Sequence, residues 1–350
     1  MIPFSRHPFR SAALASTIAA LYSVTASAAT FTWQDATGVW SSGSNWTGGV
    51  PSGTNPTDIL VFGGSGVMPY TATNNLGTNP ALFNQLRFQS VDASPDPTTS
   101  QTIDGNAIRL GGASPEIQQN GSGAITISLP IQLGGDLTLS GSGTGVVTMN
   151  APISGAYDII KTGSSTFRFG TAFQQPLVGP SENTWYGGLT ISGGTIRFNN
   201  NAESGRTALR SNPVTFTSAG TLTVSSALRV GTLHGTVGTV QSQVTGSNTP
   251  NEDLVIHAFT PGTYGGSLIL GGPTGTGDDP GVLVVRGNST QTLTGFLDIE
   301  KDVDIGHGAT LVLAGSASLG TQTKGAVVMQ GGTMKLDNTG TNNSNRLRNA

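Results

Sequence analysis

One nine-residue part recurs along this chain at uneven intervals. It constrains the fold more than any other feature. "SGGTIRFNN" at 192–200 is matched position by position by "QGGTMKLDN" at 330–338, with Met334 for Ile196, Lys335 for Arg197 and Leu336 for Phe198. Looser copies are "LGGDLTLSG" at 133–141, "SAGTLTVSS" at 218–226, "YGGSLILGG" at 264–272 and "HGATLVLAG" at 307–315. Each joins small residues to an apolar-x-apolar pair, a period of two that turns the apolar residues inward and the one between them outward. A strand with only two inward side chains cannot build a core alone, so it needs stacked neighbours. Short strands between turns would also suit a sandwich or a barrel, but recurrence favours an all-β solenoid. On that reading 192–200 and 330–338 are rungs of one ladder.

Stacking also explains the composition. Of 350 residues, 51 are glycine and only 10% are charged. In a parallel stack equivalent positions lie about 4.8 Å apart, where like charges repel by roughly 3–4 kcal/mol at an effective dielectric of 20. Thr, Ser and Asn stack without that repulsion, and glycine supplies the tight turns. Three short strands plus turns suggest about 20–25 residues per coil, hence about 13–16 coils and a rod of about 60–75 Å. Six outward cations recur in "LRF" (86–88), "IRL" (108–110), "FRF" (167–169), "IRF" (196–198), "LRV" (228–230) and "MKL" (334–336). They read as a sparse basic stripe for an acidic glycan or as solubilising charge that discourages edge pairing.

Residues 1–28 read as a signal peptide: Arg6 and Arg10, the apolar run "SAALASTIAALYSVT", then "ASA" at 26–28. The mature chain is expected from Ala29, exported to the cell surface or medium. The apolar run falls short of the roughly 20 residues of a bilayer span, and no later segment reaches that length. Cysteine is absent, so no disulfide staples the fold. A formal net charge of −3 leaves no basic reservoir for nucleic acid.

"IIKTGSSTFRFG" at 159–170 and "ENTWYGGLTISGGTIRFNNN" at 182–201 resemble the autotransporter-associated β-strand repeat of exported, outer-membrane-associated bacterial proteins. Lys161, Gly163, Thr166, Asn183, Thr184, Gly187, Gly188, Ile191, Gly194, Thr195 and Asn199 fall on its pattern, and Gly193, Gly331, Gly332 and Thr333 mark the recurring turn. Ser165 stands where the pattern has glycine, Phe167 and Phe169 where it has leucine, and 171–181 lengthens a connection. Residues 31–64, with Trp33, Trp40 and Trp46, resemble the leader that precedes such repeats. Segment 29–64 is thus expected as an N-terminal cap and 65–350 as repeats. The resemblance implies a right-handed parallel β-helix with irregular coils, a surface-exposed passenger with a display or adhesion role, and no catalytic residues. In the family the pattern continues beyond a sequence such as "NTGTNNSNRLRNA", so a truncated chain is expected.

Two rival functions compete. The three tryptophans could instead hold sugar rings, making the chain a carbohydrate-binding module for cell-surface or extracellular polysaccharide. A carbohydrate-active β-helix would need paired carboxylates or an acid cluster. Its candidates are Asp278 and Asp279 in "GTGDD", and Asp298, Glu300, Asp302 and Asp304 in "LDIEKDVDIG". The first partly matches a calcium-binding repeat with Asp279 as ligand, but Gly281 sits where a large apolar residue belongs. The second reads best as two short strands joined by a turn at Glu300, Lys301 and Asp302. His234, His257 and His307 are scattered, and "KTG" at 161–163 lacks the S-x-x-K partner of a β-lactamase site. The expectation is no enzyme and no cofactor, with calcium the one ion considered.

Overall fold

A computed structural model describes residues 28–34, 36–63, 69–89, 101–170, 184–198, 209, 212–224, 228–242, 253–271, 281–299, 301–319, 325–343 and 346–347. The described chain is a parallel β-solenoid. It contains no α-helix, and its one helical turn is the 3₁₀ segment Gly43–Asn45. Expected features at 1–27, Asn183, Asn199, Asp278, Asp279, Glu300 and the whole 171–181 connection lie outside the described residues.

The coils build three faces. The first runs from Thr30–Trp33 to Leu233–His234 in a 10-stranded sheet. A parallel bridge, Gly235↔Tyr264, carries it into a four-stranded sheet ending at Thr333–Leu336. The second is an 11-stranded sheet from Gly38–Val39 to Leu297–Ile299. The third is split into two five-stranded sheets, Ala81–Phe83 to Thr184–Trp185 and Leu228–Val230 to Val327–Gln330. Among the described residues strands pair in parallel, except where Trp46–Thr47 lies antiparallel on Thr30–Trp33, and one isolated bridge, Gly306↔Gly331, is also antiparallel.

Alternation sets which residues form the core. On the first face Phe31, Leu60, Leu86, Ile117, Leu139, Lys161, Ile191 and Phe216 form one inward column. On the second Phe169 and Phe198 stack with ring centroids 4.7 Å apart and planes 7° from parallel. Apolar columns from all faces merge into one core. Stacking in register lets each short strand bury its two inward side chains against copies above and below.

Two expectations are corrected. Thr195–Phe198 belongs to the second face, whereas Thr333–Leu336 lies on the four-stranded continuation of the first, so the matched nonapeptides are rungs of different ladders. The shared sequence encodes a corner plus a strand, and a three-sided coil has more than one corner. Coil length is also broader than expected, from Leu222↔Val240 to Gly38↔Ala72 along the second face. Insertions enter at corners without disturbing the ladder. The longest single sheet has 11 strands among the described residues. The turn expected between two strands in "LDIEKDVDIG" is present: Leu297–Ile299 ends on the second face and Val303–Gly306 opens on the third.

Candidate functional site

The tryptophans turn inward. Trp33, Trp40 and Trp46 are all buried, and none offers a ring face to a sugar. Trp46 packs edge-on against Trp33 and Trp40 at 4.8 and 5.8 Å, and Phe62 touches all three. The Trp46 indole N–H donates to the Trp40 carbonyl at 2.9 Å. These rings pack at the end of the described stack, beside the antiparallel pair of Thr30–Trp33 and Trp46–Thr47.

Buried polar side chains serve the corners. Gln119 donates to the Gly123 carbonyl and accepts from Gly121 N–H. Gln291 brackets Leu233, donating to its carbonyl and accepting from its N–H. Asn74 donates to the Asn106 carbonyl. The Arg346 guanidinium donates to the Ala317 and Gly315 carbonyls and to Asn338 Oδ1. A buried carbonyl or N–H left unpaired costs about 1–3 kcal/mol, so these side chains close turns that the ladders cannot reach.

Lys161 is the sharpest case. It is fully buried, in register between Leu139 and Ile191. Its Nζ donates to the carbonyls of Thr162 and Gly163 and reaches Ser165 Oγ at 3.4 Å, with the Phe167 ring centroid 5.6 Å away. Burial pulls its pKa down to about 8. The corner explains two glycines of the repeat pattern. Gly163 and Gly194 have φ of 63° and 60°. A Cβ on Gly163 would stand 2.4 Å from the Gly141 carbonyl oxygen, and one on Gly194 would stand 2.5 Å from the Gly163 oxygen and 2.6 Å from Lys161 Nζ. Ser165, in a glycine position of the pattern, is accommodated by donating to the Ser140 carbonyl at 3.0 Å.

Hydroxyl columns line the outside of the second face. On the second face Thr166, Thr195, Thr221, Thr239 and Ser267 stand in unbroken register. Beside them Thr71, Thr102, Thr126 and Thr148 lead into Arg168 and Arg197. The cations do not make one stripe: Arg87 is on the first face, Arg109 and Arg229 on the third, and Lys335 on the four-stranded sheet. Only Arg168 and Arg197 stack directly, and burial followed by the neighbouring guanidinium holds Arg168 below its ordinary range. Directly opposed like charges on a sheet cost roughly 0.2–1 kcal/mol. Arg168→Thr, which extends the threonine column, is therefore expected to raise the urea midpoint slightly; an unchanged or lower midpoint would refute that.

The acidic candidates are dispersed. Asp298 is on the second face beside Ile269, and Asp304 is on the third between Val284 and Val328. Asp302 Oδ1 accepts the Ala326 N–H at 2.7 Å, a turn contact. His234 Nε2 lies 2.7 Å from Thr232 Oγ1 on the first face, and His307 sits in an exposed turn. Among the described residues no three His, Asp or Glu side chains gather as metal ligands. Among them too, no helix is long and apolar enough to cross a membrane. No family profile, curated protein or solved structure matches the chain.

Proposed function

We propose that this chain is a rigid, exported surface element of the autotransporter-associated repeat type, working by reach and display or adhesion and not by catalysis. The observation that carries this reading is the division of polar chemistry in the coil. Buried polar side chains are tied to corner backbone, and on the second face outward ones repeat as unreactive hydroxyls in register. Catalysis needs unlike groups gathered at one point with tuned pKa values. Repetition of one group along an axis instead suits a surface that contacts a partner many times weakly. The signal-like residues 1–28 and the likeness of 31–64 and 159–201 to that family support the exported setting.

The test is joint scattering and turnover. Purified protein should scatter as a rod of at least about 50 Å, eleven rungs at the usual strand spacing, and should release no product from acidic or neutral polysaccharides. Cleavage abolished by Asp302→Asn or Asp304→Asn would replace this reading with the enzymatic one.

A further inference from the structure

The C-terminal half of the third face gathers groups that are far apart in sequence. Leu228–Val230, Leu254–Ala258 and Leu283–Gly287 are consecutive rungs. Their outward residues place Arg229 in register with Val255, and His257 in register with Arg286. His257 is half-buried and its Nε2 is enclosed without a hydrogen-bond partner. Its ring lies 6.0 Å from that of Phe259, which is 56% exposed at the corner that follows. Arg286 is exposed, and its stem crosses toward the next rung, with Cγ 3.1 Å from where a Gly306 Cβ would stand. The floor between these groups is apolar, formed by Val255 and Val284, both nearly closed to solvent.

We propose that Arg229, His257, Arg286 and Phe259 form a docking surface for a uronate-bearing polysaccharide. The guanidiniums take carboxylates and the Phe259 face takes a sugar ring. This rests on the reading of the chain as a surface element and gives that element a ligand class. Planar guanidinium donors match carboxylates in bidentate geometry, and an exposed aromatic ring offers an apolar platform to a pyranose. The three rungs span only about 10 Å, room for two or three sugars but too short for the long basic groove that single-stranded nucleic acid follows. Asp304, one rung beyond Val284, and Asp302 before it border the patch and would repel a continuing run of phosphates.

His257 adds a pH dependence. Burial, then the charges of Arg229 and Arg286, hold its imidazole below the usual histidine range. Among the described residues the other charged or titratable groups on these rungs and the corners beside them are Asp253, whose Oδ1 accepts the Val282 N–H at 3.2 Å, Lys301, Asp302, Asp304 and His307. A bound carboxylate would offset the two guanidiniums and favour the imidazolium, so affinity should rise as pH falls.

The experiment is calorimetric titration of the whole chain with oligogalacturonate, and with its methyl-esterified, uncharged counterpart, at pH 5.5 and 7.5. The expected result is binding of the acidic form alone, tighter at pH 5.5, and weakened roughly tenfold, about 1.4 kcal/mol, by Arg286→Ala and by Phe259→Ala. Both side chains are exposed, and an unchanged urea midpoint confirms that the variants fold. No binding, equal binding by the variants, equal binding of the ester, or preference for an oligonucleotide would each overturn the proposal and leave the rod reading standing. Release of shortened oligogalacturonate would instead sink the non-catalytic reading while the binding result still decided the docking surface.

Discussion

Trp40→Ala is expected to lower the unfolding free energy by about 3–5 kcal/mol, the usual cost of deleting a buried large aromatic. Trp40 is fully buried, with Trp46, Phe62 and Phe83 at centroid distances of 5.8, 5.9 and 5.9 Å. Among the described residues no coil lies beyond this one, so no neighbour sliding along the axis fills the cavity. Stability in a stack is close to a sum of nearest-neighbour terms, so a failed end rung exposes the next. Trp40→Phe should cost far less, because the Trp40 indole N–H has no hydrogen-bond partner to lose. Guanidinium unfolding followed by circular dichroism separates the cases. Wild-type stability in the alanine variant would mean that the aromatic cluster does not cap the solenoid. Weakened sugar binding with unaltered stability would revive a recognition role for the ring.

The strands were legible because alternation is local. "TFRF", "TIRF" and "TLTV" each announce two inward and two outward residues; the structure places the first two so, at Thr166–Phe169 and Thr195–Phe198, while in Thr221–Val224 Thr223 is buried as well. Face assignment was not legible, because a glycine-led corner looks the same before the first face as before the second. Long-range register was hidden for the same reason. His257 and Arg286 come level only because coils of unequal length bring them into register, with Arg229 one rung before and level with Val255, so His257 read alone is a scattered histidine. The chemistry of Trp33, Trp40 and Trp46 allowed a sugar-binding alternative that their burial removes. For Lys161 pattern and chemistry disagreed. Two steps after the inward Ile159, alternation points it into the core, whereas lysines almost never go there unpaired. The carbonyl-rich turn that follows was the available signal.

The second large effect is a rise in stability with alkaline pH that depends on Lys161. Its pKa falls from 10.5 to about 8 on folding. Below pH 8 the amine is protonated in both states, and the folded state bears the cost of a buried ammonium. Between pH 8 and 10.5 the folded state has released the proton while the unfolded state still holds it, so the unfolded state binds more protons and stability must increase with pH. A depression of this size is worth about 3 kcal/mol across the full window. Tyr264 sets the upper limit. Burial pushes its phenol above the usual range, so once unfolded tyrosine ionises near pH 10 the trend reverses. The observable rise thus lies between about pH 8 and 10 and amounts to about 2–3 kcal/mol. Lys161→Met keeps an unbranched chain of similar length but cannot titrate, and it leaves the Thr162 and Gly163 carbonyls without their donor. Its stability should stay flat from pH 8 to 10 in urea titrations, where the wild type climbs. A wild type equally flat would show that the ammonium reaches solvent, and would remove the buried corner tie from the account of why this coil accepts a charge in its core.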